Sequence, residues 1–143
     1  MKTSDHKVFS ILLHETASAW RNKLDKRLEP LGLSQAKWRT LLHLSLAEHA
    51  LTQRELASRM GIEGATLVGL LDRLAKDGWI VRKGVLNDRR SKTVHLTPKA
   101  QTTLIEIHKK ADTLRNELLA SVSKQELNIC IKVLQHIKQS AED

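Results

Sequence analysis

Residues 77–98 restrict this chain more than any other stretch: two short β-branched runs flank a basic turn and lead straight into a helix start. Trp79, Ile80 and Val81 read as a first strand, and Thr93, Val94, His95 and Leu96 as a second. Between them Asn87 and Asp88 supply turn chemistry, and Arg89, Arg90 and Lys92 place three cations at or beside the tip. Thr97 is a good N-cap, with Pro98 in the first helical position, where a missing N–H is harmless. An arginine-tipped hairpin suits the narrow, electronegative minor groove of DNA. It suits a solvated turn equally well, so its surroundings decide.

Those surroundings read as helix. From about Asp5 to Glu29 an apolar stripe runs through Val8, Ile11, Leu12, Ala19, Trp20, Leu24 and Leu28, and Pro30 stops it. Ser34 caps a second helix over about 35–48, with Trp38, Leu41, Leu42 and Leu46 on its inner side. Thr52-Gln53-Arg54-Glu55 is a capping box that opens a short third helix to about Met60. Gly61 turns the chain, and a fourth helix covers roughly 64–77 before Gly78. A longer helix from Pro98 to about Ser121 carries Leu104, Ile107, Ala111, Leu114 and Leu118 in steps of three and four. Ser123-Lys124-Gln125-Glu126 is a second capping box, followed by Leu127, Cys130, Ile131, Leu134 and Ile137, with Ile129 and Val133 on a neighbouring flank. The apolar surface of the terminal helices is wider than one contact uses, which predicts a homodimer built from them.

The net charge of +8 favours a polyanionic partner, and its placement says more. Residues 50–99 hold 10 Lys and Arg against 5 Asp and Glu, whereas residues 100–143 hold 6 against 6. The excess lies around the hairpin. Cys130 is the single cysteine, which excludes an intrachain disulfide and a Cys-based zinc framework; it falls on an apolar face, where a thiol is inert. No signal-peptide pattern and no apolar run near the roughly 18 residues of a membrane span are present, so a cytoplasmic, nucleoid-associated setting is expected. A Gly-rich phosphate loop, paired catalytic carboxylates and a Ser/His/Asp order are all missing, so neither an enzyme nor a cofactor is expected. His108 and Asp112 stand one helical turn apart, yet the usual pairing of His or Cys ligands on one helix is missing, and no metal site is expected.

Residues 52–75 carry a helix-turn-helix pattern. Ala57 is small where two helices cross, Gly61 lies at the turn, and Leu67, Leu70, Leu71 and Leu74 make one buried stripe. Thr66, Gly69, Arg73 and Lys76 line the opposite face, which would enter the major groove. With the hairpin directly downstream, the pattern becomes a winged helix-turn-helix. Across nearly its whole length the chain then resembles the MarR family of bacterial transcription regulators, closest to its SlyA branch. The residues that carry the resemblance are Arg27-Leu28-Glu29-Pro30-Leu31-Gly32-Leu33-Ser34-Gln35 with Trp38, then Gln53, Leu56-Ala57 and Gly61-Ile62-Glu63. Leu67-Val68, Leu71-Asp72, Leu74, Asp88-Arg89-Arg90 and Leu96-Thr97 complete it.

The resemblance implies a mainly α fold with a small β-wing: two helices, a short strand, two helices, two wing strands and two helices. It implies a triangular homodimer, with dimerisation helices at about 1–32 and 100–143 and a winged DNA-binding lobe at about 33–99. The partner is double-stranded DNA with a palindromic, AT-rich operator. Carried over by position, Arg90 is the wing arginine in the minor groove, Arg89 a phosphate or wing-anchoring contact, and Asp88 a brace for the wing. Lys92 adds charge beside them. Gly64, Ala65 and Thr66 occupy the first turn of the recognition helix, where backbone N–H groups and a hydroxyl meet phosphate or a base edge.

The SlyA branch has an arginine where this chain has Gly69. A bidentate Arg–guanine contact discriminates by about 1–3 kcal/mol, so specificity is relaxed or redirected here. Arg73, one turn on, has three readings: a base contact in its place, a phosphate contact, or a surface pair with Asp72 or Asp77. Family members often hold small aromatic acids between the dimer helices and the DNA lobe. Trp20, Arg21, Trp38 and His43 are the candidates by position, although tryptophans on helix faces more commonly serve as core. Repression, activation and displacement of a silencing protein all stay open. The rival class is a helical module that grips protein with its winged fold and shows no salt-dependent DNA affinity.

Overall fold

The computed structural model describes residues 4–86 and 88–143, with Val85, Asp88, Arg89 and Arg90 described by backbone only. The turn role expected of Asn87, and the side-chain roles of Asp88, Arg89 and Arg90, lie outside the described residues. The helices are α1 (Asp5–Leu28), α2 (Gln35–Leu46), α3 (Gln53–Met60), α4 (Gly64–Lys76), α5 (Pro98–Leu118) and α6 (Lys124–Glu142). The strands are β1 (Leu51–Thr52), β2 (Ile80–Val85) and β3 (Asp88–Leu96), in one antiparallel sheet of order β1-β3-β2. This is the mainly helical winged-helix fold that the sequence leads one to expect. The chain forms two compact units, one up to Ala111 and one from Asp112 to Asp143, with α5 running through the boundary.

In the first unit, local chemistry sets most of the element ends. Ser34 Oγ accepts from the Lys37 amide at 3.3 Å, opening α2. Thr52 and Glu55 complete a reciprocal capping box, each bond 3.1 Å long, which opens α3 and satisfies two otherwise orphaned donors. Gly61 closes α3 at φ 66°, a left-handed conformation that glycine adopts without a Cβ penalty, and the Ile62 amide reaches back to the Ala57 carbonyl at 3.1 Å. Thr97 Oγ1 caps α5 through the Ala100 amide at 3.3 Å. The same hydroxyl donates to the Gly78 carbonyl at 2.6 Å, tying the root of the wing to α5.

The core of this unit gathers Leu28, Trp38, Leu41, Leu56, Leu67, Leu71 and Leu74, with Leu51, Ile80 and Val94 from the inner face of the sheet. Leu51 pairs with Val94, which sets β1 beside β3 and fixes which face of the wing is buried. The wing strands run further than β-branched content predicts. Trp79 precedes β2, which continues through Arg82, Lys83 and Gly84, and Arg89, Arg90 and Lys92 stand on β3 rather than in the turn. Beyond Thr93 the sheet narrows to the two strands β2 and β3, since β1 pairs only as far as Thr93. A register shift between Gly84 and Val85 bends this two-stranded part near its end.

The apolar stripes of α1 and α6 are left largely exposed, as the surplus of apolar surface predicts, and that of α2 differs from expectation. On α1 only Leu24 and Leu28 are buried; Val8, Ile11 and Leu12 are exposed, Leu12 by 55%. On α2, which ends at Leu46 rather than near residue 48, the buried leucine is Leu44, and Leu46 is 64% exposed. Five residues beyond Leu41, Leu46 has rotated to the far side of the helix, whereas Leu44 remains on the Trp38–Leu41 side. In the second unit α6 has no buried residue, and Ile129, Ile131, Val133 and Leu134 are exposed. Cys130 is exposed with them. Among the described residues no helix is long and apolar enough to cross a membrane.

Candidate nucleic-acid interface

The amphipathic pattern of α4 decides what it presents. Leu67, Leu70, Leu71 and Leu74 are buried, which turns Gly64, Ala65, Thr66, Arg73 and Lys76 to solvent and leaves Gly69 half-buried. Glu63 precedes the helix without making a side-chain cap, so the first-turn amides keep their donors for a ligand. Arg73 leans back along the helix, its Nη1 3.7 Å from the point where a β-carbon on Gly69 would stand. The two carboxylates weighed as its partners are committed elsewhere. Asp72 pairs with Arg82 of β2 at 2.7 Å, and Asp77 with Lys37 at 3.4 Å. The first of these ion pairs joins the wing to the recognition helix. At the wing's root, Lys99 Nζ donates to the Asp77 carbonyl at 2.7 Å and stands 4.1 Å from the centre of the Trp79 ring.

A groove of about 640 Å³ opens between the starts of α3 and α4 and the strand β3. Its lining includes Gln53, Arg54, Gly64, Val68, Ser91 and Lys92. Arg54 and Lys92 are exposed cations, and the first-turn amides of α4 add the positive end of a helix. Within the same lining, Gln53 Oε1 is buried with no hydrogen-bond partner. Sequence reading placed Lys92, Gly64 and their neighbours at the interface but missed Arg54, Gln53 and Ser91. The sequence signal for Gln53 and Arg54 is the capping box that fixes where α3 begins, and for Ser91 its place in the basic hairpin.

The four ligand candidates come out differently. Trp38 is 2% exposed and its Nε1 donates to Asp25 Oδ1 at 2.8 Å, so it serves as a core side chain with its one donor satisfied. Trp20, Arg21 and His43 are half-buried, and Arg21 donates to Ser18 Oγ at 3.4 Å. None of the four lines the groove. Around His43 the structure gathers cations that the sequence reading passed over. Burial, then Arg39 and Arg59, hold its pKa below the usual 6.5, and burial with Arg21 lowers that of Arg39. His108 Nε2 is hydrogen-bonded to Ser45 Oγ at 3.0 Å, and among the described residues no cluster of three or more His, Cys, Asp or Glu could hold a metal.

The depressed pKa of His43 has a consequence for stability. The unfolded chain takes up a proton near pH 6.5 that the folded chain resists, so wild-type stability falls as pH drops through that value towards the lower folded one. In His43→Gln this contribution is gone. The difference in urea midpoint between the two proteins is expected to stay constant above about pH 7.5 and to move in the variant's favour below about pH 6.5. A difference that does not change with pH would contradict the environment described for His43.

A profile of the MarR family matches residues 31–91, from the end of the 3-10 turn after α1 into β3. The transcriptional regulator PA3341 is 45% identical to this chain, over 94% of it and 98% of its own length, with a TM-score of 0.88. The chain belongs to the MarR family. As a member it is a DNA-binding transcriptional regulator, not an enzyme. S. aureus MepR, solved as a DNA complex, is 23% identical over 98% of this MarR-family chain and 99% of its own, with a TM-score of 0.76. CouR from Rhodococcus jostii RHA1, solved with p-coumaroyl-CoA bound, is 22% identical over 90% of each chain, also at 0.76. At these identities both resemble the MarR-family regulator in fold alone.

Proposed function

We propose that this regulator binds palindromic, AT-rich operators as a homodimer, with α4 in the major groove and the β2–β3 wing in the minor groove. The observation that carries the reading is the groove that joins the first turn of α4 to β3, edged by Arg54 and Lys92 and with α4's donors open to it. A phosphate there meets two cations and free amides at once. That MepR, of the same fold, was solved on DNA supports the same use of the lobe here. Gly64, Ala65 and Thr66 then contact backbone or base edges, Lys92 a phosphate, Arg90 the minor groove, Arg89 a phosphate or the wing itself, and Asp88 braces the wing.

Arg73 is assigned to a base. Its guanidinium lies over Gly69, the place where the SlyA branch carries its arginine, and neither nearby carboxylate holds it. In Arg73→Ala, base preference at one position of each half-site is expected to relax, at a cost of about 1–3 kcal/mol per half-site. Equilibrium titrations on operator variants at several salt concentrations check this. A uniform loss across sequences, with a salt slope shallower by about one, would reassign Arg73 to a phosphate. Within the family the chain is read as SlyA-like, a reading supported by the resemblance of its wing and helix-turn-helix motifs, with Gly69 as its departure.

The homodimer rests on the exposed leucines and isoleucines of α1 and α6, which leave about 1–32 and 100–143 as dimerisation segments and about 33–99 as the DNA-binding lobe. Sedimentation equilibrium at micromolar concentration is expected to give twice the chain mass, and a stable monomer would remove the claim. A small aromatic or anionic ligand near Trp20, Arg21 and His43 modulates binding; CouR, of the same fold, was solved holding an aromatic acyl thioester. A single cysteine and the absence of any membrane-spanning helix among the described residues fit a cytoplasmic, nucleoid-associated protein.

A further inference from the structure

We propose that Arg21, Arg39, His43 and Arg59 form a binding site for a small, multiply charged phosphate anion. Three helices bring these residues together. Hydrogen bonds from Trp38 to Asp25 at 2.8 Å and from Gln35 to Asn22 at 3.4 Å fix the crossing of α1 and α2. Arg21 lies one turn before Asp25, and Arg39 follows Trp38, so the two flank that crossing. His43 lies one turn beyond Arg39 on α2. Thr40 Oγ1 meets Met60 Sδ at 3.7 Å, which brings the end of α3, and Arg59 with it, against the same stretch of α2.

Arg21 and Arg39 lack a counter-charge of their own, and Arg59 faces only the exposed carboxylate of Glu55. Among the described residues no ion pair engages Arg21, Arg39 or Arg59. The carboxylates nearest along the helices are committed: Asp25 accepts from Trp38, and Glu55, one turn before Arg59, closes the capping box of α3. Arg21, Arg39 and His43 are half-buried, and burial first, then repulsion from neighbouring cations, lowers the proton affinity of Arg39 and His43. Half-burial strengthens such repulsion, and an anion that enters converts it into attraction. Guanidinium forks match phosphate oxygens two at a time. Three permanent cations exceed what a monocarboxylate neutralises, whereas a phosphate group brings about two charges. This deepens the reading of a modulating ligand near Arg21 and His43 by naming its class, and it does not rest on DNA contact.

The test is thermal unfolding of the whole chain at fixed ionic strength with inorganic pyrophosphate, benzoate or chloride. Pyrophosphate is expected to raise the midpoint by roughly 5 °C over chloride, and benzoate by much less. Arg39→Gln and Arg59→Gln abolish the rise, while unliganded Arg39→Gln melts no lower than wild type because a like charge has gone. Lys92→Gln, in the groove beside β3, keeps the rise. An equal rise in Arg39→Gln, its loss in Lys92→Gln, a larger rise with benzoate, or no rise at all would each overturn the proposal. None of these readouts involves DNA, so their failure leaves the operator reading intact, and failure of operator binding leaves this site intact.

Discussion

The Arg90→Ala protein is expected to bind operator DNA about 30- to 700-fold more weakly than wild type. Each lost arginine contact costs about 1–2 kcal/mol, a homodimer loses two, and every 1.4 kcal/mol is a factor of ten. The backbone explains why one residue matters this much. Arg90 is carried on β3 where the register with β2 shifts, between the Gly84–Lys92 and Val85–Asp88 pairs, so paired strand holds the stretch on either side. The Asp72–Arg82 ion pair links β2 to the recognition helix. Arginine in a narrow minor groove reads shape, so the loss is expected to be largest on AT-rich duplexes. Anisotropy titrations on AT-rich and GC-rich flanks check this, with urea unfolding to show that the fold is intact. Unchanged affinity together with unchanged AT preference would contradict the wing assignment.

Leu71→Ala acts on the opposite face of the same lobe. Leu71 is 0% exposed, at the centre of the stripe that seats α4, and truncation is expected to cost about 2–5 kcal/mol of stability. Against a typical total of about 5–15 kcal/mol this is a large share, and it lowers the melting temperature by on the order of 10 °C. Thr66→Ala, on the outward face of α4, is expected to change stability by less than about 0.5 kcal/mol while weakening DNA binding. Urea unfolding of both variants tests the faces directly. Comparable losses of stability in the two would mean that α4 is seated differently.

Features set by neighbouring residues were legible in the sequence. The capping boxes at Thr52 and Ser123, the left-handed Gly61, the Thr97 cap and the leucine stripe of α4 each follow from chemistry within a few residues, and all stand where expected. The strand ends were less legible, because Arg82, Lys83 and Gly84 are held by cross-strand pairing and not by strand propensity. Leu44 and Leu46 were both available to the inner side of α2, and only the position of its neighbours decided between them. The groove could not be read at all. It depends on Arg54, Gly64 and Lys92, from three separate segments, converging. The same holds for Arg59, whose closeness to His43 comes from the packing of α3 against α2, whereas Arg39 lies one helical turn before His43. Trp38 was a ligand candidate by position but fitter for a core, and its burial and hydrogen bond to Asp25 settled it as core.

The central claim is that this MarR-family chain reads a two-fold symmetric DNA site. Selection of bound duplexes from a random pool, at two salt concentrations, tests it most directly. The predicted result is an AT-rich inverted repeat with half-sites about one helical turn apart, whose affinity falls steeply as salt rises. Enrichment of an asymmetric site, or no enrichment at either salt concentration, would contradict it.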